Sequence, residues 1–130
     1  MNLPELKIGK LVAQVPIIQG GMAIRLSTAP LAAAVANEGG IGLIAASGMG
    51  LDELRKEIRM ARELTGGKGI IGINAMVAAR QFLDLITTAA EEGIDLIVAG
   101  AGFSRDIFAV GKKYGVEVVP IVSSARLAQT

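Results

Sequence analysis

The 130-residue sequence contains neither cysteine nor histidine. Without cysteine it can form no disulfide and no thiolate metal site, which fits a cytoplasmic protein. Without histidine it lacks the usual general base near neutral pH and the commonest metal ligand. Chemistry confined to these residues must therefore use carboxylates, lysine, tyrosine or a bound cofactor.

Long hydrophobic runs and an excess of one charge are also missing. No apolar run approaches the roughly 18–20 residues that span a bilayer, and the N-terminus shows no basic region followed by an apolar stretch. Thirteen Lys and Arg residues oppose 12 Asp and Glu residues, for a net charge of +1, so nucleic acid is not an expected partner. We expect a cytoplasmic protein that acts on a small molecule, not on a membrane.

Aliphatic residues and glycine are abundant instead. The chain is 52% hydrophobic but only 3% aromatic, with 17 glycines, a composition typical of parallel strands buried on both faces. Helical patterns separate five apolar segments. This alternation predicts βα units and a parallel sheet. The five strands are expected to begin near Pro16, Ile41, Gly69, Asp95 and Glu117.

Local signals mark the ends of the helices. Ser27, Asp52 and Ser104 are expected as N-caps, and residues 6–12 are expected to form a small hairpin under the sheet. A left-handed residue commonly follows the C-terminus of a helix. Glycines occupy those positions, namely Gly39, Gly66, Gly93 and Gly115.

The pattern indicates one domain over residues 1–130, because no linker or low-complexity stretch divides it. A single-chain (β/α)8 barrel takes about 200–250 residues or more, whereas this chain supplies four full βα units and the start of a fifth. We therefore expect an α/β fold: the N-terminal half, about five strands, of a (β/α)8 TIM barrel. A short N-terminal hairpin precedes it, and the C-terminal end looks truncated.

The expected carboxyl ends of the strands carry the candidate site. The strand from Pro16 runs into Gly20 and Gly21, where the missing side chains would let a flat or phosphorylated ligand approach the backbone N–H groups. Asn74 ends another apolar strand, where its amide requires a partner. Ligands of α/β proteins bind at this end of the sheet. The alternatives are a tight turn at the glycines and a local cap at Asn74.

Three further clusters follow the other strands. They are Ser47-Gly48, Gly100-Ala101-Gly102 and Ser123-Ser124. The third Rossmann glycine is missing after Gly102, so close backbone approach at the mouth of a site is favoured over dinucleotide binding. The serines could equally be helix caps, and Met22 and Met76 could be core residues or line a ring. No nucleophile–base pair, carboxylate pair or metal-ligand spacing is present. The residues suit a flat cofactor that carries the chemistry itself.

Several stretches resemble a known family. They are PIIQGGMA (16–23), LAAAVANEGGIGLI (31–44), GIIGINAM (69–76), AGAG (99–102) and VVPIVSSARLA (118–128). Together they resemble the N-terminal half of the nitronate monooxygenase (2-nitropropane dioxygenase) family, which includes flavin-dependent enoyl-ACP reductases. The resemblance covers nearly the whole chain in order.

The resemblance implies FMN in a TIM barrel. The backbone of the Gly-Gly-Met segment would lie against the isoalloxazine ring, Asn74 would contact its pyrimidine side, and the end of the fifth barrel strand would face the flavin. Ile121 stands where some members keep a lysine. The expected cofactor-binding residues are Gly20, Gly21, Met22, Ala23, Asn74, Gly100 and Ser123.

The family's catalytic histidine and its FMN phosphate site fall beyond Thr130. The resemblance therefore assigns no catalytic residue here, and we expect the chain alone to bind FMN weakly or not at all. No metal is expected.

The reaction that the resemblance implies is a flavin-dependent, monooxygenase-like oxidation of alkyl nitronates with O2. The alternative is reduction of an enoyl thioester, with NAD(P)H first reducing FMN. The Gly100–Gly102 turn leans to the reductases, and the SSARLA ending leans to the nitronate monooxygenases. An alternative of another class is a non-catalytic half-barrel whose exposed last strand pairs with a second copy or another chain.

Overall fold

A computed structural model describes residues 2–130 and contains two sheets. A two-stranded antiparallel hairpin comes first, and a five-stranded parallel sheet follows, with its strands in chain order. The strands are β1 (Leu6–Ile8), β2 (Leu11–Ala13), β3 (Ile18–Gln19), β4 (Ile41–Ala45), β5 (Ile70–Met76), β6 (Leu96–Gly100) and β7 (Glu117–Pro120).

A helix follows each strand of the larger sheet. They are α1 (Ala29–Asn37), α2 (Leu51–Leu64), α3 (Phe82–Glu91), α4 (Asp106–Tyr114) and α5 (Ala125–Ala128). Sequential parallel strands joined by helices are the repeating unit of a βα barrel. Four full units and the start of the fifth are present, as the alternation of apolar segments and helical patterns predicts. Within residues 2–130, no helix is long and apolar enough to cross a membrane.

Successive side chains along a strand point to opposite faces of the sheet, and each face has its own hydrophobic core. On β6, Ile97 and Ala99 belong to the outer core under the helices, whereas Leu96 and Val98 belong to the inner core. All five residues of β6 are buried. Strands buried on both faces explain why they read as continuous aliphatic runs without a polar alternation.

The N-terminal hairpin closes the inner core at the amino ends of the strands. Ala13 is buried there with Ile41 and Leu96, and side chains of β1 pack beside them. Lys10 ties the hairpin to the last strand, because its backbone N–H donates to Glu117 Oε1 at 3.2 Å and its ammonium donates to the Gly115 carbonyl. The predicted hairpin under the sheet is confirmed.

The predicted N-caps are wrong, whereas the predicted helix-ending glycines are confirmed. The N-cap positions are occupied by Thr28, Gly50 and Arg105. The hydroxyl of Ser27 binds the Met22 N–H, outside α1. Helix α2 already begins at Leu51, before Asp52. Ser104 Oγ accepts a hydrogen bond from the Asp106 N–H, one residue outside the cap. Each expected glycine has a positive φ: Gly39 (91°), Gly66 (63°), Gly93 (75°) and Gly115 (67°).

Two ion pairs link α2 to residues near the amino end of β6. The Arg59 guanidinium binds both carboxylate oxygens of Glu92, at 2.8 and 2.9 Å. This hydrogen bonding lowers the pKa of Glu92 below its ordinary value of 4.5 and raises that of Arg59. Asp95 accepts from Arg62 at 2.9 Å and from the Ile71 N–H at 3.0 Å. These charges tie α2 to the neighbouring unit and lie opposite the candidate site.

Candidate functional site

The carboxyl end of β3 leaves the sheet abruptly after Gln19. A parallel ladder in this register would next pair Leu43 with the Gln19 carbonyl and the Gly21 N–H. Instead, Gln19 Oε1 accepts from the Leu43 N–H at 3.2 Å, and Gln19 Nε2 donates to the Leu43 carbonyl at 3.2 Å. The side-chain amide thus replaces two backbone partners, and the chain from Gly20 onward is free to turn away.

Ser27 fastens the segment that turns away. Its side chain is fully buried, and its hydroxyl accepts from the Met22 N–H at 2.8 Å. The same hydroxyl contacts the Gly20 carbonyl at 3.4 Å and Gln19 Nε2 at 3.3 Å. One buried oxygen therefore fixes the backbone on both sides of Gly21.

Gly21 lies directly against Asn74. A Cβ on Gly21 would stand 2.5 Å from Asn74 Cβ and 2.9 Å from its Oδ1. Asn74 Nδ2 donates to the Val98 carbonyl at 3.3 Å, which holds the amide at the end of the inner face of β5. The glycine loop and the asparagine, 53 positions apart in the sequence, are thus brought into contact, which requires that residue 21 have no side chain.

Gly20 has no such internal requirement. A Cβ built on it meets nothing within 4 Å, and its φ is not in the left-handed range. Intramolecular packing and backbone conformation therefore do not explain a glycine at this exposed position. Close approach of a ligand would explain it.

A cleft of about 290 Å³ lies between the carboxyl ends of β3, β4 and β5. The Ser47 hydroxyl shapes one wall, since it accepts from the Met76 N–H at 2.8 Å. No side chain lining it is ionisable, and most are apolar. The lining residues are Gly21, Met22, Ala23, Ile24, Ala45, Ser47, Gly48, Asn74, Met76 and Ala79.

Four of the seven expected cofactor-binding residues line this cleft, and Gly20 adjoins it. Gly100 ends β6 and Ser123 follows β7, at the same edge of the sheet but outside the cleft lining. A Cβ on Gly100 would stand 2.9 Å from Ile121 Cδ1, the far end of an exposed side chain that can move aside. Ser124, not Ser123, is a helix cap, accepting from the Leu127 N–H at 3.2 Å.

The backbone beyond β6 is strained at the same edge. Ala101 has a φ of 55°, a left-handed conformation that costs free energy for any residue with a Cβ. Such strain is often found in ligand-binding segments.

Sequence reasoning missed Gln19 and Ile24. Gln19, like Asn74, is a polar side chain at the end of an apolar strand, so the same pattern could have identified it. Ile24 lines the cleft while 56% exposed. Its side chain packs on Gly48, where a Cβ would stand 2.9 Å from Ile24 Cδ1. No local sequence pattern predicts that an isoleucine in a loop will line a cleft.

Comparisons with known proteins identify the family and the fold of this chain. The family model described as nitronate monooxygenase matches residues 5–128. FabK from Thermotoga maritima superposes with a TM-score of 0.81 at 36% identity, covering 88% of this chain and 36% of that one. The nitroalkane oxidase from Streptomyces ansochromogenes gives a TM-score of 0.77 at 21% identity over 90% of this chain and 43% of that one.

A curated relative is the (3aS,4S,5R,7aS)-5-hydroxy-7a-methyl-1-oxo-octahydro-1H-indene-4-carboxyl-CoA dehydrogenase of Mycobacterium tuberculosis strain H37Rv. It is 29% identical over 114 residues, which are 88% of this chain and 31% of the relative. The chain therefore spans between 31% and 43% of the length of these three proteins. Its five-stranded sheet resembles the N-terminal half of the barrels of the solved structures, as expected from the sequence. By its matching residues and its fold, the chain belongs to the nitronate monooxygenase family.

Proposed function

We propose that this chain supplies the isoalloxazine-binding half of an FMN-dependent oxidoreductase. The observation that carries the proposal is the cleft at the carboxyl ends of β3 to β5, where a bare backbone loop, an asparagine amide and two methionines meet. A flat, largely apolar ring with one polar edge fits such a lining. The absence of an ionisable group among the lining residues agrees with chemistry that belongs to the cofactor.

The residues of this chain would hold the ring and exclude water. Gly20 and Gly21 would let the ring approach the backbone, and the Asn74 amide would offer a donor and an acceptor to its polar edge. Met22 and Met76, each about half exposed, would cover its apolar faces. Bound FMN would supply the transfer of electrons between substrate and oxidant.

The test is an FMN titration of the isotope-labelled chain, followed by amide NMR. We expect shifts confined to Gly20, Gly21, Met22, Ala23 and Asn74, with weak affinity because no phosphate site is assigned in this chain. Amides at the other end of the sheet, such as that of Gly93, serve as internal references. Unchanged spectra at the highest soluble FMN concentration would overturn the proposal. Tight stoichiometric binding would instead place the phosphate site within these residues.

Oxidation of an alkyl nitronate is the proposed reaction, in keeping with the family to which the chain belongs. The nitroalkane oxidase shares the fold of this half. A small substrate beside the ring would meet the apolar side chains of Met22 and Ile24.

Reduction of an enoyl thioester is the second candidate. The 36% identity to FabK exceeds the 21% identity to the nitroalkane oxidase, and the mycobacterial relative is named for a CoA thioester. The two reactions differ in the substrate that must reach the cleft.

Methionine methyl NMR can compare the two substrates. Propyl-2-nitronate and crotonyl-CoA would each be added to the FMN-saturated chain while the methyl signals of Met22 and Met76 are followed. Met60, exposed on α2 and outside the cleft, is the matched reference. Perturbation by the nitronate alone supports the proposed oxidation, and perturbation by the thioester alone supports the reduction.

A partner chain is a separate proposal. The edge strands β3 and β7 each have one neighbour within the described sheet. An apolar groove of about 310 Å³ adjoins β3, and a groove of about 640 Å³ whose lining includes Lys10, Lys112 and Glu117 adjoins β7. Unpaired edges favour association. Light scattering would report a mass of twice 13.4 kDa for a homodimer, and a monomeric mass would contradict self-association.

A further inference from the structure

The loop between β3 and α1 is shaped by two side chains that do not line the cleft. Gln19 occupies both hydrogen-bonding groups of Leu43, and Ser27 binds the Met22 N–H while contacting the Gly20 carbonyl. Neither residue belongs to the cleft lining. Both act on the backbone that borders it.

The consequence for Gly21 is specific. In a continued ladder its N–H would donate to the Leu43 carbonyl, but Gln19 Nε2 takes that acceptor. Within residues 2–130 the Gly21 N–H therefore has no hydrogen-bond partner, although Gly21 itself is half-buried at the edge of the cleft. A half-buried backbone donor without a partner is available to a ligand.

We propose that Gln19 and Ser27 are positioning residues, which detach the chain from the sheet at Gly20 and present the Gly21 N–H to the ligand of the cleft. The identity of that ligand as FMN rests on the proposed function; the positioning itself does not. Gln19 releases the donor, and Ser27 prevents the released segment from moving.

The contacts argue for positioning rather than simple packing. Ser27 is the residue just before the N-cap of α1, yet its hydroxyl is turned away from the helix and toward the loop. Its three polar contacts all go to residues 19–22. A residue that served only the helix would bond to the helix N-terminus.

The test compares Ser27→Ala with Ser27→Thr in the full chain without any ligand, by amide relaxation. In the alanine variant we expect the order parameters of Gly20, Gly21 and Met22 to fall from about 0.85 to below about 0.6. The rest of the sheet should keep its values. The threonine variant keeps the hydroxyl and should restore the loop. Thr28→Ala is the matched control, since Thr28 makes no side-chain hydrogen bond to α1.

Gln19→Leu gives a second measurement that does not depend on Ser27. Without the amide, the Gly21 N–H regains the Leu43 carbonyl, so its hydrogen exchange should slow by at least tenfold. An unchanged exchange rate in this variant, or a rigid loop in Ser27→Ala, would overturn the proposal. If the loop responds as expected while FMN shifts no amide of the wild-type chain, the proposed cofactor is wrong and the positioning stands.

Discussion

Replacing Gly21 by alanine tests the contact on which the site depends. The new Cβ would stand 2.5 Å from Asn74 Cβ, which is 0.9 Å short of the 3.4 Å at which ordinary contact begins. Asn74 cannot rotate its own Cβ away, because its backbone is paired with Ala45 and Val98 in the sheet. Forcing an extra methyl group into a packed site costs about 1–3 kcal/mol, and we expect about 2 kcal/mol here.

Urea unfolding followed by circular dichroism measures this cost, since the chain has no tryptophan. Gly20→Ala is the matched control: its Cβ points into open space, so it should be neutral or stabilising by about 0.4–1 kcal/mol. In an Asn74→Gly background, Gly21→Ala should lose most of its effect. The reasoning is refuted if both glycine variants destabilise equally, or if Asn74→Gly leaves the cost unchanged.

Two further predictions concern the outer helices. Glu57 Oε2 accepts from the N–H of buried Ala29 at 2.7 Å and so replaces a cap on α1; Glu57→Ala should cost about 1 kcal/mol. Glu57→Gln, which keeps an acceptor, should cost less, and equal losses in urea unfolding would contradict this role. The pKa of Glu92 in the folded chain is lowered by Arg59 from its ordinary value of 4.5. The ion pair therefore stabilises the fold at pH values above 4.5, and this stabilisation is lost as the pH falls through the pKa of the folded state. The difference in unfolding free energy between wild type and Glu92→Gln should therefore shrink below pH 4.5, and a constant difference would show that the pair contributes nothing.

The fold was predictable because its signals are local. Buried parallel strands need aliphatic runs, and helices that end at a left-handed residue need a glycine, as at Gly93 and Gly115. Both requirements repeat at the period of a βα unit. The hairpin was equally predictable from the sequence, since residues 6–12 lie outside the period of the βα units.

The details of the site depend on contacts between distant residues. Ser27 has the pattern of a helix cap, and only the folded loop shows that its hydroxyl is used by Met22 instead. The contact of Gly21 with Asn74 joins two barrel strands that are not neighbours in the sheet. Sequence reasoning named both residues but had no means of placing one against the other.

The tie between Lys10 and the last strand has a consequence for how the chain folds. It closes a loop of 107 residues, so it can form only after the intervening units have assembled, and contacts of such separation are slow to form. Exchange protection of the Lys10 amide would then report completed assembly, later than protection within the central strands. The N-terminal hairpin, which comes first in the sequence, would then be the last element to attach to the sheet.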